Sequence, residues 1–429
     1  MATVIANGVP WYDQHNNPVN AKAGCLIKVH DTFHLFGEYK TDDVNHFIGF
    51  SHYTSVDLAT WRYEGLALPL QKSGLLGPNR IGERVKVLKN PNTNQFVMLM
   101  HTDDLGYRDP YIGVAVTDDL AHPFTFLGPL LYQGQPVRKW DMGTFVDQDG
   151  TAYLLTHEGN IYRLAADYQS VVECVAENIA VGGESPAMFH QGNYYFALFS
   201  NKTSWERNDN YYLTATNIHG PWHLQGTFCP RGSLTYNSQS SFVFPLATKK
   251  GIIPMYMGDR WSFPKQAASA TQVWLPLTVN ANHLSIPHYW ENWDWQQVTP
   301  VKPTSKIIPL NFNCNQAQQT IDLNFAGTGI IVSGSTTPHG GYGQFILKNA
   351  TGQQLQNTTI DFYSLVASTG QRYISPKLPE GHYQLIIKTT GEHGVWFDKA
   401  GHRFGSDDFF VTLSGYQIRE QQPDRKVTQ

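Results

Sequence analysis

Short runs of hydrophobic and aromatic residues, each ending in polar residues, cover most of the chain, and Gly, Asn, Asp or Pro separate one run from the next. The 3.6-residue hydrophobic period that marks an amphipathic helix is nearly absent. Short strand-forming runs with turn residues at this density are typical of β-strands joined by tight loops. The pattern therefore predicts an all-β fold.

One unit of this pattern recurs along the first two thirds of the chain: a turn residue, an aromatic or aliphatic strand, and a polar end. Successive copies are roughly 40–60 residues apart, which is the length of a four-stranded propeller blade. Five copies predict a five-bladed β-propeller over residues 1–297. The copies lie at residues 31–38, 94–101, 150–157, 192–200 and 250–259.

A polar, Pro-containing stretch between residues 297 and 308 predicts a linker to a second domain. Alternating strands return beyond it and predict a jelly-roll β-sandwich over residues 308–429. A carbohydrate-binding role and a purely structural role both stay open for this domain. Exposed aromatic side chains would favour binding, and the candidates are Tyr342 and Trp396.

Composition narrows the class of partner. Charged residues make up 15% of the chain, aromatic residues 13%, and the net charge is −4, too weak a field to favour nucleic acid or an anionic membrane as partner. Aromatic side chains suit sugar rings as well as β cores. No apolar run approaches the ~20 residues of a membrane span, and without a leader pattern we expect a cytoplasmic protein, or a secreted one if a leader was removed.

Glycoside hydrolysis needs a proton donor and, in inverting enzymes, a positioned water on the opposite face of the sugar. In a propeller, side chains from different blades meet at the central axis. We therefore expect each repeat to supply one acidic or amide residue. For any one residue a solvated turn explains the position equally well, but the joint recurrence indicates a site formed by Glu38, Glu83, Asp141, Glu184 and Gln239.

Two of these residues lie in motifs that resemble glycoside hydrolase family 43. Glu184-Ser-Pro matches the Glu-Gly/Ala-Pro motif of that family. Asp141 and residues 145–154 match its Asp-x-x-x-Phe-x-Asp-x-Asp-Gly-x-x-Tyr-Leu motif. The resemblance covers residues 8–295 or so. It implies a five-bladed catalytic domain in which Glu184 is the general acid and Asp141 tunes the pKa of that acid.

Further segments are similar to the exo-β-1,3-galactanase branch of the family: residues 83–87, 97–101, 203–205, 237–243 and 258–261. That branch lacks the usual base Asp and has a Gln on the base side; here the Asp position falls near Ala23, and Gln239 is present. The resemblance implies inverting hydrolysis at the non-reducing ends of β-1,3-galactan, with Gln239 positioning the water. It also implies sugar contacts from Glu83, Glu38, Tyr107, Thr203, Trp205, Asn237 and Trp261.

One departure leaves the sugar and the linkage open. The branch reads Ala-His-Gly-Gly before its first inner strand, whereas this chain has Lys22 in place of the His and Cys25 in place of a Gly. If these residues line the sugar subsite, the specificity differs. One alternative is an α-L-arabinofuranosidase or β-xylosidase of the same fold with Asp13 as base. Another is a catalytically impaired propeller that binds glycans.

Metal or cofactor chemistry is not expected at the site. No His-x-His or Glu-x-x-His spacing rises above chance, and the four Cys residues do not have metal-ligand or CxxC spacing. We therefore predict that no cofactor is required. A structural calcium in the second domain stays open, with Asp407 and Asp408 as its candidate ligands.

Overall fold

The computed structural model describes residues 4–43 and 45–420. Nearly all of its regular structure is β-strand, which confirms the all-β prediction. The helical exceptions in these residues are one 3₁₀ turn, His157–Gly159, and one four-residue turn, Leu234–Asn237. In this part of the chain no helix has the length and apolar character needed to cross a membrane.

The chain begins with strand β1 (Val4–Ala6) and then forms two antiparallel four-stranded sheets in sequence order. The first sheet comprises β2 (Lys22–Val29), β3 (Thr32–Glu38), β4 (Gly49–Ser55) and β5 (Arg62–Pro69). The second comprises β6 (Arg80–Lys89), β7 (Phe96–Asp104), β8 (Tyr111–Thr117) and β9 (Thr125–Pro129).

Three further sheets follow. The third comprises β10 (Leu131–Tyr132), β11 (Gln135–Pro136), β12 (Met142–Val146), β13 (Ala152–Thr156), β14 (Asn160–Leu164) and β15 (Ser170–Ala176). The fourth comprises β16 (Gly183–Gln191), β17 (Tyr194–Asn201), β18 (Tyr211–Ala215) and β19 (His223–Thr227). The fifth comprises β20 (Gln239–Thr248), β21 (Gly251–Arg260) and β22 (Thr271–Pro276).

Two short pairs complete this part: β23 (Thr278–Asn280) with β24 (His283–Ser285), and β25 (Asn292–Asp294) with β26 (Thr299–Pro300). Strand β25 also pairs with β1, so both ends of this part meet in one small sheet. Thr299–Pro300 falls inside the stretch predicted as a linker and is a strand instead, because its backbone bonds to β25.

The remaining strands form two four-stranded antiparallel sheets and one hairpin. The strands are β27 (Ile308–Cys314), β28 (Thr320–Gly327), β29 (Gly329–Thr336), β30 (Tyr342–Asn349), β31 (Gln354–Asp361), β32 (Ser368–Ile374), β33 (Gly381–Thr389), β34 (Val395–Phe397), β35 (Arg403–Gly405) and β36 (Val411–Arg419). One sheet has the order β27-β36-β29-β32, and the other β28-β33-β30-β31. Strands β34 and β35 form the hairpin.

The five sheets of the first part pack face to face in sequence order. Separate hydrophobic cores lie between the first and second, second and third, third and fourth, and fourth and fifth sheets. Another core joins the fifth sheet to the first, for example through Trp274 and Leu35. Each sheet has one edge strand that we call its first strand, and the strand paired with it is the second. The five first strands contact one another in the order β2, β6, β12, β16 and β20. Most of the candidate site residues lie on or next to these strands, at the centre of the five sheets.

Candidate active site

The repeated sequence unit is the second strand of each sheet, and most candidate residues lie opposite it at the start of the first strand. Glu83 is paired across the sheet with His101, Glu184 with Ser200, and Gln239 with Asp259. Glu38 is different because it ends a second strand, β3, and its partner on β2 is Lys22. The residues at the polar ends of the repeated units are thus paired, across each sheet, with the candidate residues of the first strands.

A bulge follows two of the first-strand carboxylates. The pairing register shifts after Glu83 and again after Glu184, and the next residues, Arg84 and Ser185, have φ of 55° and 58°. Asp141, just before β12, has φ of 43°. Non-glycine residues rarely adopt these angles, and bulges of this kind redirect side chains near active sites. The local strain therefore serves to aim neighbouring side chains at one point.

Glu184 is a partly exposed carboxyl group at this point. Its Oε1 accepts a hydrogen bond of 2.9 Å from Nε2 of Gln239. Burial, followed by the negative charge of Asp141, raises the pKa of Glu184 to about 8. Glu184 is therefore protonated at neutral pH, which is the form that a general acid requires.

Arg84 connects the groups around Glu184. Its Nε lies 2.6 Å from Oδ1 of Asp141, and its Nη2 donates to Oε1 of Gln239 at 2.8 Å. Its backbone N–H donates to Oε1 of Glu38 at 2.7 Å. Asp141 is drawn toward Glu184 because its Oδ2 accepts a 2.5 Å hydrogen bond from the backbone N–H of the residue that follows Glu184. No pattern in the sequence indicated a role for Arg84.

The side-chain amide of Gln239 uses all of its hydrogen-bonding capacity. Oε1 accepts from Arg84 and from Nε1 of Trp261, both at 2.8 Å. Nε2 donates to Glu184 and, at 2.8 Å, to Oγ of Ser200. Arg and Trp can only donate, so these contacts fix the amide orientation. They also favour the carbonyl form of Gln239, because the imidic tautomer carries a hydroxyl group at that oxygen.

A left-handed turn leads into Gln239. Residues Leu234–Asn237 have φ between 51° and 58°, although none of them is Gly. Left-handed helical backbone costs roughly 1–2 kcal/mol per residue, and such strain persists only where surrounding contacts hold it. Here Asp209 accepts from the backbone N–H groups of Gly232 and Leu234, and Thr235 bonds to the neighbouring loop. These contacts define the approach of the chain to Gln239.

The opposite wall surrounds Glu83. Its Oε1 accepts from Asn45 at 2.8 Å and Tyr107 at 2.9 Å, and lies 3.4 Å from Nζ of Lys40. Its Oε2 lies 3.5 Å from Nδ1 of His101. Burial alone would raise the pKa of Glu83, but Lys40, His101 and Asn45 outweigh burial and hold it well below its usual range. Glu83 is therefore an ionised hydrogen-bond acceptor.

Lys40 connects Glu83 to two further residues. Its Nζ lies 2.6 Å from Oε2 of Glu38 and 5.8 Å from the centre of the Trp205 ring. Lys40, Asn45 and His101 were not predicted from the sequence as site residues. His101 had a detectable signal, because it ends the second repeat as Glu38 ends the first. Lys40 and Asn45 both lie in the loop between β3 and β4, outside the repeated unit, where the pattern gives no reason to single them out.

A third group of predicted residues is held by Arg207, which is only 3% exposed. Its guanidinium donates to the carbonyl groups of Trp205 and Trp261 at 3.3 and 3.0 Å, and to Oδ1 of Asn237 at 2.8 Å. The two indole rings meet edge to face at 5.3 Å. Thr203 begins the same loop, and its Oγ1 donates to a backbone carbonyl within it at 2.7 Å. Arg207 was also missed.

Lys22 does not join the side chains around Glu184. It is 2% exposed, its Nζ donates to the carbonyl of Val19 at 3.2 Å, and burial lowers its pKa to about 8. Cys25 is fully buried and accepts from the backbone N–H of Val87. Asp13, the alternative base, accepts hydrogen bonds within its own turn, residues 13–17. None of the contacts described for Asp13 reaches the Glu184 group.

The candidate calcium ligands are engaged by protein donors. Asp407 lies 2.6 Å from Nδ1 of His339, and Asp408 accepts from Asn315 at 3.2 Å. Among the residues that the structure describes, no three His, Cys, Asp or Glu side chains converge in the manner of a metal site.

Comparison with known proteins places this geometry in a family. The model for glycosyl hydrolases family 43 matches residues 25–228. A Bifidobacterium bifidum s17 structure assigned as an exo-β-1,3-galactanase is 34% identical, covering 65% of this chain and 95% of that chain with a TM-score of 0.60. The chain belongs to glycosyl hydrolase family 43. As a member of family 43 it is a glycosidase that acts on oligosaccharides.

Two further structures are similar to this family 43 chain. A family 43 β-1,3-galactosidase, solved with galactodeoxynojirimycin, is 26% identical, covering 68% of this chain and all of that chain with a TM-score of 0.61. The Phanerochaete chrysosporium exo-β-1,3-galactanase, solved with galactose, is 22% identical but covers 96% of this chain and 99% of that chain, with a TM-score of 0.71. The latter likeness concerns the fold. No curated protein matches the chain.

Proposed function

We propose that the protein removes galactose from the non-reducing ends of β-1,3-linked galactan or galacto-oligosaccharides, with inversion at the anomeric carbon. The observation that carries this proposal is the contact between Glu184, a carboxyl group with a raised pKa, and the amide of Gln239. The substrate is supported by the 34% identical exo-β-1,3-galactanase and the 26% identical β-1,3-galactosidase, each matched over 95% or more of its length.

In this mechanism Glu184 donates its proton to the glycosidic oxygen as the bond to the anomeric carbon breaks. Asp141 keeps that proton on Glu184 until substrate binds, because a second negative charge beside it is unfavourable. Arg84 forms an ion pair with Asp141 at 2.6 Å and holds it in place. After the transfer, the new Glu184 carboxylate lies near the positive charge of Arg84, which stabilises it.

Gln239 positions the attacking water on the other face of the sugar. Its Oε1 is fixed by Arg84 and Trp261, so Nε2 is the atom directed at the acid. A sugar bound at Glu184 replaces the hydrogen bond between Glu184 and Nε2, which then becomes free to orient water. The transition state resembles an oxocarbenium ion, so a well-oriented neutral water attacks the anomeric carbon without a strong base, and the proton that this water loses passes to solvent.

The Glu83 wall binds the terminal sugar. An ionised carboxylate ringed by Lys40, Asn45 and Tyr107 accepts hydrogen bonds from sugar hydroxyl groups, and its neighbours offer donors. Trp205 supplies an aromatic face beside it. Glu38, Thr203, Asn237 and Trp261 complete the proposed sugar contacts.

We also propose that the five sheets of the first part are the blades of a five-bladed β-propeller over residues 1–297, and that residues 308–429 form a jelly-roll sandwich. The circular order of the inter-sheet cores supports the first assignment, and the two four-stranded antiparallel sheets support the second. Residues 1–3 and 44 of the first assignment and residues 421–429 of the second lie outside the described part.

The substrate is tested by hydrolysis of a matched panel: β-1,3-galactobiose, β-1,6-galactobiose, arabino-oligosaccharides and xylo-oligosaccharides. We expect galactose release from the β-1,3-linked compound with kcat/KM at least tenfold above any other. Arabinose or xylose release at the higher rate would instead support the arabinofuranosidase or xylosidase alternative, with Asp13→Asn as the variant to examine next. Binding of the panel without turnover would support the glycan-binding propeller.

A further inference from the structure

The second part of the chain contacts the loop that carries Trp205. Tyr363, just after β31, donates from its hydroxyl to Oε2 of Glu206 at 2.5 Å. The guanidinium of Arg207 lies 5.6 Å from the centre of the Tyr363 ring. Glu206 and Arg207 are 6% and 3% exposed, so this contact is buried. A hydroxyl group bonded to a buried charged group is a strong form of hydrogen bond.

The same contact leads directly into the active site. Arg207 holds the carbonyl groups of Trp205 and Trp261 and the side chain of Asn237, all of them proposed sugar-binding residues. Trp261 in turn donates to Oε1 of Gln239. A short chain of hydrogen bonds therefore runs from Tyr363 to the residue that positions water.

Asp361 provides a parallel contact. Its Oδ2 accepts from Oγ of Ser262, the residue after Trp261, at 2.8 Å, and its Oδ1 accepts from the backbone N–H of Tyr363 at 2.8 Å. A cavity of about 30 Å³ lies among Arg207, Trp261 and these residues. This volume suits about one water molecule and excludes a sugar. The interface is therefore a support and not a second binding pocket.

The second part also reaches the opposite wall. Nζ of Lys399, in the turn of the β34–β35 hairpin, donates to the carbonyl of Tyr107 at 3.3 Å and lies 5.6 Å from the centre of its ring. Tyr107 donates to Glu83. Both walls of the site are thus contacted from the C-terminal part of the chain.

We propose that Tyr363 and Asp361 are positioning residues of the active site, so that the C-terminal β domain is part of the catalytic unit. They hold Glu206, Arg207 and Ser262, and through them the wall formed by Trp205, Asn237 and Trp261. The inference rests on the proposed function for the identity of the substrate. It assigns the C-terminal domain a role that neither an independent carbohydrate-binding module nor a passive appendage would have.

The variant Tyr363→Phe tests this inference in the full-length protein. It keeps the ring beside Arg207 and removes only the hydroxyl donor, which leaves a buried oxygen of Glu206 without its partner. We expect kcat/KM for β-1,3-galactobiose to fall about tenfold, mainly through KM, because the loss of a charged hydrogen bond loosens the sugar-binding wall. The matched control is Tyr383→Phe, which removes a 2.8 Å hydrogen bond to Pro379 within the same domain.

A second readout does not depend on the substrate. Hydrogen–deuterium exchange of residues 203–208 and 236–240 should be faster in Tyr363→Phe than in Tyr383→Phe or the wild type. If both kcat/KM and exchange match the control, the inference is wrong. If the wild type fails to cleave β-1,3-galactobiose while exchange still rises in Tyr363→Phe, the proposed substrate is wrong and the positioning role stands.

Asp361→Asn provides the same test should Tyr363→Phe fail to fold. The amide can still accept through Oδ1 but loses the charge that binds Ser262 most strongly, so we expect a smaller fall in kcat/KM, about threefold, and faster exchange of residues 261–263. Unchanged exchange in these residues would contradict the inference.

Discussion

Glu83 and Glu184 lie at the same place in two sheets of the molecule, each at the start of a first strand and each followed by a left-handed residue. Their surroundings are opposite. Glu83 faces Lys40, His101 and hydrogen-bond donors, and its pKa is held low. Glu184 is half-buried, and this burial together with the neighbouring carboxylate of Asp141 raises its pKa to about 8.

The difference shows how one repeated structural position supplies two kinds of chemistry. The backbone places both carboxylates at equivalent positions, and the neighbours decide which one keeps a proton. Arg84 lowers the pKa of Glu184, but burial and the negative charge of Asp141 outweigh it. In the proposed function, the Glu83 side therefore binds hydroxyl groups, and the Glu184 side donates a proton.

The largest expected effect comes from removing the proton donor. Glu184→Gln should lower kcat for β-1,3-galactobiose by about 10³-fold or more, since general acid catalysis contributes roughly 10²–10⁴-fold. A galactoside with a dinitrophenyl leaving group needs little protonation, so on it the same variant should lose far less. Equal losses on both substrates would show that Glu184 is not the acid. Steady-state kinetics of both substrates provide the measurement.

Asp141→Asn should have the next largest effect. Removal of the neighbouring charge lowers the pKa of Glu184, so the acid loses its proton at a lower pH, and the alkaline limb of the kcat profile moves down from about pH 8. We expect kcat at pH 7 to fall about 10–100-fold. Asp147→Asn is the control, because Asp147 follows the same strand but contacts His190 and Tyr195. An unmoved alkaline limb would refute the tuning role.

Glu83→Gln tests the other side of the comparison. A neutral amide accepts weaker hydrogen bonds and loses the pairing with Lys40 and His101, so we expect KM to rise about tenfold with a smaller change in kcat. Glu173→Gln, which breaks an exposed ion pair with Arg163, is the control. A loss confined to kcat would place Glu83 in the chemical step instead of sugar binding.

The smallest expected effect concerns stability. The pKa of Glu184 is raised by folding, so the stability that its bound proton contributes is complete below the usual value of 4.5 and is lost as the pH rises to about 8. Glu184→Gln has no such loss. Relative to the wild type, its free energy of unfolding should therefore improve by about 2 kcal/mol between pH 4 and pH 8, which is the full linkage of about 4 kcal/mol reduced for the partial exposure of Glu184. Urea unfolding at both pH values measures this difference, and a parallel pH dependence of the two proteins would argue against a raised pKa.

The sequence predicted the residues at the repeated positions because periodicity is a local property. Glu83, Glu184 and Gln239 recur beside the repeated strand, and the structure brings them together with Asp141. Arg84 and Arg207 could not be predicted in the same way. Arg84 acts only where three sheets meet, and Arg207 acts across loops that no repeat connects.

The contact between Tyr363 and Glu206 was even harder to predict from the sequence. Tyr363 follows Glu206 by 157 residues, and nothing in the alternation of its strand distinguishes it from other buried aromatic residues. Lys22 shows the opposite case. Its residue type suggested a cation in the sugar subsite, but the side chain turns to the carbonyl of Val19. Side-chain direction at a bulge depends on backbone angles that residue type alone does not determine.

The stereochemistry of galactotriose hydrolysis tests the central claim most directly. Proton NMR of β-1,3-galactotriose, recorded during the first turnovers of the wild type, should show α-galactose and β-1,3-galactobiose before mutarotation. The same sample with Glu184→Gln should show neither over the same period. β-Galactose as the first product, or equal rates in the two proteins, would contradict an inverting exo-hydrolase in which Glu184 is the acid.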